Sequence, residues 1–322
     1  MISSGFRTLT SRSSMTSPLS SSLSLFIGLA RTRYCSTSSD DTTMPIVVDP
    51  LLDVEALQLK LMDIVPQMAH SLAHDGYFTT TSFMEPSMIQ RLRDQSISLR
   101  NQGRFEQSWS ETIDGTGKAI RFDKEGVFAC EPDGRDYDSA PDLISYMSGL
   151  LQTMPTALNA QQPTENMELS HNAFNAKLAV TSPGGSVYPM HIDNAEGLSA
   201  GDTRKLTCIL YLNPSYDKEN DGGELQIVLS ASSTSTQGEE QEEDNHPRNG
   251  KNIVNLTPEG GRLVCFWSDE VPHQVLETAP DVNPNDTKHD RYALTVWIPT
   301  ENMSAIHSPS SKFRELGDIA FS

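Results

Sequence analysis

Basic residues are scarce in this chain of 322 residues: 24 Lys and Arg stand against 43 Asp and Glu, giving a formal net charge of −19. So acidic a body is repelled by phosphate backbones, which argues against nucleic acid as a partner and would favour a basic one. The plainer reading of the charge is a solvated surface. Cysteine is scarce too. Cys35, Cys130, Cys208 and Cys265 are widely separated with no C-x-x-C pair, so neither a disulfide framework nor a structural zinc site is expected. Cys208 and Cys265 fall inside apolar strand patterns and read as buried free thiols, which suits a reducing, intracellular compartment. The apolar stretch from Leu23 to Ala30 is too short to cross a bilayer, so no transmembrane segment is expected. No internal repeat is visible.

What is present divides unevenly along the chain. Residues 1–45 read as a transit-like or disordered extension. Within its first 39 residues stand Arg7, Arg12, Arg31 and Arg33, many serines and no Asp or Glu, a composition resembling a mitochondrial or other organellar transit peptide. Without such routing the expectation is cytoplasm or nucleus. Since those residues contribute four positive charges, the remainder carries −23. Residues 46–170 read as a helical support region, which also holds the segment AIRFDK. Leu57, Leu61, Ile64, Met68 and Leu72 recur at helical spacing, as do Met88, Ile89, Leu92 and Leu99, with a short strand Tyr77–Thr80 between. From 171 to 300 the pattern changes to short Val, Ile, Leu and aromatic runs separated by Gly, Pro and Asn. Helices first and strands afterwards predict an α+β fold with a mainly β core, a double-stranded β-helix (jelly roll) buttressed by N-terminal helices. The polar, acidic stretch 231–250 reads as a disordered insertion, 280–290 as a turn cluster and 301–322 as a C-terminal tail.

The chemistry concentrates in His191-Ile192-Asp193, His273 and Arg291-Tyr292-Ala293-Leu294-Thr295-Val296-Trp297. Residues i and i+2 of a strand point to the same side, so His191 and Asp193 can face inward together. His273 follows the apolar run Arg262–Trp267 and precedes Gln274–Leu276, which read as neighbouring strands. Two imidazoles and a carboxylate can occupy one face of an octahedral Fe(II), leaving three positions for a chelating cosubstrate and O₂. Arg291, Ala293, Thr295 and Trp297 share one face of the last strand, where a guanidinium can grip a carboxylate bidentately. A molecule that chelates iron at one end and offers a carboxylate at the other is 2-oxoglutarate. The remaining histidines carry less. His70 and His74 lie one helical turn apart without an H-E-x-x-H context, and His171, His246, His289 and His307 lack partners at ligand spacing.

The ordered segments HIDN, GDTRKLTCILYLN, GGELQI, RLVCFWSDEVPH and RYALTVW resemble those of the prolyl hydroxylases that act on hypoxia-inducible factor and their microbial relatives. Upstream, LKLMDIVPQMAHSLAHDGYF resembles that family's leading helix, and LRNQGRF followed by AIRFDK its second helix and mobile substrate loop. About 245 residues, from Val54 to Ile298, are covered by the resemblance. It implies iron ligation by His191, Asp193 and His273, and a 2-oxoglutarate pocket containing Arg291 and Tyr211, with Thr295 and Trp297 on the Arg291 face. It further implies a substrate loop bearing Arg121 and Asp123, with Arg204 placed to pair with Asp123. The family's Tyr about ten residues before H-x-D is replaced here by Thr181-Ser182-Pro183-Gly184-Gly185, where a Thr181 or Ser182 hydroxyl could substitute. Gly222 and Gly223 are expected in a tight turn with close backbone approach. The implied activity is peptidyl-proline 4-hydroxylation of an intracellular protein or peptide, with Fe(II), 2-oxoglutarate, O₂ and L-ascorbate, by a monomer.

Three other readings stand beside it. The core could oxidise another residue or a small molecule, or persist as an inactive jelly-roll binding module. A cupin-type metalloprotein could use two His and an Asp, but would not require RYALTVW.

Overall fold

The computed structural model describes residues 50–113, 119–185, 188–229, 252–279, 287–307, 313 and 315–321. The extension 1–45 and the insertion 231–250 lie outside these, as do residues 280–286 of the turn cluster; Thr287–His289 form a short 3₁₀ turn.

Helix α1 (Val54–His74) starts where the Asp53 carboxylate accepts the Ala56 amide, and it buries Leu57, Leu61, Val65, Met68 and Leu72 along one stripe. Helix α2 (Pro86–Asn101) opens on Pro86, whose missing N–H costs nothing in a first turn, and buries Ile89, Leu92, Ser96 and Leu99. Both match the predicted periodicity. Helix α3 (Pro141–Gln161) does not appear in that pattern, because it is buried nearly all round and carries Pro155 in its interior. Its Asp142 joins the helical layer, accepting from the Leu51 and Leu52 amides at 2.7 and 2.8 Å, from Gln95 at 2.6 Å and from Arg91.

Eleven described strands form two antiparallel sheets. The larger has the order β1 (Tyr77–Thr80), β9 (Leu263–Trp267), β6 (Arg204–Tyr211), β11 (Arg291–Pro299), β4 (Asn175–Thr181), β3 (Ala119–Cys130), β2 (Glu106–Ile113). The smaller has the order β5 (Tyr188–His191), β10 (His273–Val275), β7 (Leu225–Leu229), β8 (Asn252–Leu256). This is the jelly-roll core with buttressing helices that the strand pattern predicts. Strand β6 reads as nearly continuous apolar sequence because both its faces are covered. Leu206, Cys208 and Leu210 are buried on one face, and Thr207, Ile209 and Tyr211 line a cavity on the other. Cys208 and Cys265 lie opposite each other across β6 and β9 as free thiols with sulfurs 3.6 Å apart.

Three expectations change. Strands β9 and β10 are not neighbours: the chain leaves the large sheet after Trp267, and His273 opens a strand of the small sheet between β5 and β7. The segment Ala119–Lys124 is no irregular loop but part of β3, paired with β2 in a hairpin at the edge of the large sheet. The C-terminal tail packs down, since Phe313 and Leu316 are buried and helix α4 (Leu316–Phe321) contacts β7.

Candidate active site

The two sheets set the predicted ligands facing each other. His273 on β10 lies directly across from His191 on β5, and Asp193 follows β5 by two residues. His191 Nε2 and His273 Nε2 stand 3.6 and 3.7 Å from Asp193 Oδ1, and the imidazole centroids are 4.3 Å apart. Among the described residues these three form a cluster whose ligand atoms all lie within 4.8 Å of one another.

The surroundings aim those atoms. His191 Nδ1 is 2.7 Å from the Pro189 carbonyl and His273 Nδ1 is 3.0 Å from the Val271 carbonyl. A carbonyl only accepts, so each Nδ1 carries the hydrogen and each Nε2 is the ring nitrogen left facing the cluster. Asp193 Oδ2 accepts from Thr207 Oγ1 at 2.8 Å and from Trp297 Nε1 at 2.9 Å, which leaves Oδ1 turned toward the two Nε2 atoms. Burial would raise the Asp193 carboxyl, but the neighbouring His273, His191 and Arg204 outweigh it and hold the group far below the ordinary carboxylate range. Burial, reinforced by His191, pushes His273 down to about 4 against the pull of Asp193, so its imidazole is neutral near pH 7. Two imidazoles with Nε2 turned inward and an ionised carboxylate on one side, with open cavity on the other, fit the facial ligand set of Fe(II).

In the same cavity lies Arg291, 9% exposed. Its Nε donates to the Gly223 carbonyl at 2.8 Å, and one terminal nitrogen is 3.4 Å from the Tyr211 hydroxyl. No carboxylate among the described residues comes within ion-pair distance of it. A buried guanidinium without a counter-ion is a costly arrangement that an incoming carboxylate relieves. Burial raises the Tyr211 phenol against the influence of Arg291, which keeps it protonated and able to donate. Gly223 is required for the approach: its φ is +72°, and a Cβ there would meet the Arg291 side chain at 2.9 Å.

The structure thus brings together His191, Asp193, His273, Tyr211, Arg291, Thr295 and Trp297. Trp297 lines the cavity and also donates from Nε1 to Asp193 Oδ2. Arg204 does not reach Asp123; its Nε lies 2.9 Å from the Asp202 carboxylate, and it donates to the Asp193 carbonyl at 2.7 Å. Arg121 and Asp123 pair loosely with each other at 3.7 Å, both more than half exposed, and the Arg121 guanidinium stacks 4.3 Å from the Trp109 ring centroid. Thr181, the register partner of Arg291, lines the cavity where the family tyrosine is lacking.

Two supports escaped the sequence reading. Thr207 was legible as cavity-facing on β6 but not as a partner of Asp193, and it is itself 2.8 Å from the Ser268 hydroxyl. Lys205, 1% exposed, bonds Asp269 and Glu270, each at 2.9 Å, and so fastens the crossing that carries the chain from β9 to His273. A lysine among apolar strand residues with two acids downstream is the signal that could have found it.

Residues 176–299 match the model of the 2OG-Fe(II) oxygenase superfamily. Egl nine homolog 1 of Rattus norvegicus is 30% identical over 251 residues, covering 75% of this chain and 59% of that protein. Prolyl hydroxylase EGLN3 of Homo sapiens is 32% identical over 142 residues, covering 44% of this chain and 46% of its own length. The chain therefore spans roughly half to three-fifths of these relatives. Among solved structures, a Trichoplax adhaerens prolyl hydroxylase, determined with a hypoxia inducible factor oxygen degradation domain peptide fragment, superimposes with a TM-score of 0.53 at 20% identity, over 81% of this chain and 99% of that one. A Phytophthora capsici prolyl 4-hydroxylase gives 0.54 at 22% identity, over 83% and 72%. These two likenesses bear on the fold. The fold and the ligand cluster agree with the match of residues 176–299 to the 2OG-Fe(II) oxygenase superfamily. Over 251 residues the chain is similar to Egl nine homolog 1, and its residues 176–299 are those that match the superfamily model.

Proposed function

We propose that this protein is an Fe(II)- and 2-oxoglutarate-dependent dioxygenase that 4-hydroxylates a proline within a protein or peptide segment. The observation that carries the reading is Arg291, a buried cation with no anionic partner among the described residues, in the cavity that holds His191, Asp193 and His273. Iron with 2-oxoglutarate supplies the oxidation, in which one atom of O₂ ends in succinate, with loss of CO₂, and the other in the substrate hydroxyl.

The chain's own residues position and insulate. His191, Asp193 and His273 hold the metal from one side, and Thr207 and Trp297 keep Asp193 turned toward it. Arg291 and the Tyr211 hydroxyl grip the far carboxylate of 2-oxoglutarate, so its 2-oxo acid end is directed to the metal. Ile209, Leu225, Val275 and Ala293 line the space between and exclude water. The β2–β3 hairpin, with Trp109, Arg121 and Asp123, stands at the opening and covers the substrate. L-ascorbate keeps the iron ferrous, and the protein acts as a monomer inside the cell, with residues 1–45 directing it to a mitochondrion or another organelle.

Purified protein supplied with Fe(II), 2-oxoglutarate and ascorbate should release succinate faster when a proline peptide substrate is added. The peptide should gain one oxygen atom at proline by mass spectrometry. Succinate release that no peptide stimulates, with oxygen appearing in a small molecule instead, would reassign the substrate class.

A further inference from the structure

The cavity mouth is basic although the protein as a whole is acidic. Lys124 on β3 and Lys177 on β4 both line the cavity, and both ammonium groups converge on one ring, 3.7 and 5.9 Å from the centroid of Tyr188. No carboxylate among the described residues lies within ion-pair distance of either lysine. The Tyr188 hydroxyl is buried and has no hydrogen-bond partner among them. Burial and then the charge of Lys177 push Lys124 down to about 8, as expected of two like charges crowded together without a counter-ion. An anion entering here would relieve the repulsion and could accept from both ammonium groups and the phenol.

The cosubstrate is poorly placed to be that anion. Arg291 is in register with Thr181, and Lys177 lies four residues further along β4, roughly 13 Å at strand rise. A five-carbon diacid anchored at Arg291 does not span that distance. The mouth is where the substrate passes. We propose that Lys124 and Lys177 form a carboxylate subsite, so that the segment this protein oxidises carries an Asp or Glu side chain close to the reacting residue. The inference rests on the reading of the cavity as an oxygenase site and narrows its substrate class.

The test uses fluorescent proline peptides in which Glu, Gln or Lys is scanned through the residues flanking proline. They are titrated by anisotropy onto full-length protein loaded with Fe(II) and 2-oxoglutarate without oxygen, so that binding is read without turnover. At one flanking position or more, Glu should bind about tenfold tighter than Gln, the gain of a partly desolvated charge-assisted contact. Lys124→Met/Lys177→Met should bring the Glu-to-Gln ratio to about one, and Lys177→Arg should keep it. A melting curve confirms that each variant is folded. No Glu preference at any position, no binding of any peptide, or a preference that survives the double variant would overturn the subsite. A double variant that loses affinity for 2-oxoglutarate with its peptide preference unchanged would assign the lysines to the cosubstrate and overturn it as well. Glu-selective binding without oxygen transfer to proline would remove the prolyl reading alone.

Discussion

Asp193 has one oxygen for the metal and one for the protein, and that division is what the surrounding side chains maintain. Trp297→Phe removes the indole donor to Oδ2 without emptying the space, so iron affinity should fall by about tenfold, the lower range for lost support of a metal ligand. An iron titration indistinguishable from that of the parent would show that Thr207 alone suffices. Removing a ligand outright is harsher: His191→Ala or His273→Ala should abolish iron retention and succinate release together. Arg291→Ala acts elsewhere. Losing a buried charge-assisted contact costs on the order of 2–5 kcal/mol, so the KM for 2-oxoglutarate should rise by roughly thirtyfold or more while iron binding is kept. At the mouth, Lys124 titrates at about 8 in the folded protein against an ordinary 10.5. Between those values the unfolded chain holds a proton that the folded chain has released, so stability at this site rises with pH across that window. Lys124→Met should therefore be more stable than the parent below pH 8, and the difference in denaturation midpoint should shrink as pH climbs toward 10.5. A gap that does not change with pH would contradict the assignment.

At the scale of elements, the turn before β7 and the β2–β3 hairpin make separable predictions. Gly223→Ala puts a methyl group against Arg291 and Thr278 at a positive φ, so the KM for 2-oxoglutarate should rise with little change in iron affinity. Arg121→Ala with Asp123→Ala should weaken peptide-stimulated turnover and spare the slow peptide-independent release of succinate, because neither residue touches the ligand cluster. Equal loss of both rates in a folded variant would make the hairpin a support of the metal site instead. These elements also mark how far the sequence could be read. His191 and Asp193 were legible because strand alternation is local, as was the shared face of Arg291, Ala293, Thr295 and Trp297. Helix α3 was not, since a helix buried on all sides loses the polar face by which periodicity is recognised. The change of sheet between Trp267 and His273 was illegible for another reason: strand pairing is decided by partners distant in the chain. Trp297 shared the Arg291 face in sequence, yet its bond to Asp193 depended on where β5 delivered His191.

For the molecule as a whole, the site is fastened from behind by charges that never meet solvent and from outside by the chain's last described turn. Lys205→Met would leave Asp269 and Glu270 buried without their cation, at a cost of about 3–5 kcal/mol if both stay ionised. Burial already raises Asp269 against the pull of Lys205, so part of that loss should be recovered by proton uptake as pH falls. Truncation after His307 removes Phe313 and Leu316 from the core and should destabilise by roughly 3–6 kcal/mol, read as a lower denaturant midpoint. The burial of Arg291 carries a kinetic consequence. On the proposed activity, a diacid held at this buried cation and a substrate segment across the opening would be loaded in order: the small diacid would enter first, and the bulky segment would close the way behind it. The spent diacid would then be held until the modified segment departs. Dissociation of the large product would gate turnover, and excess substrate arriving early should slow the reaction by barring the path of its own cosubstrate.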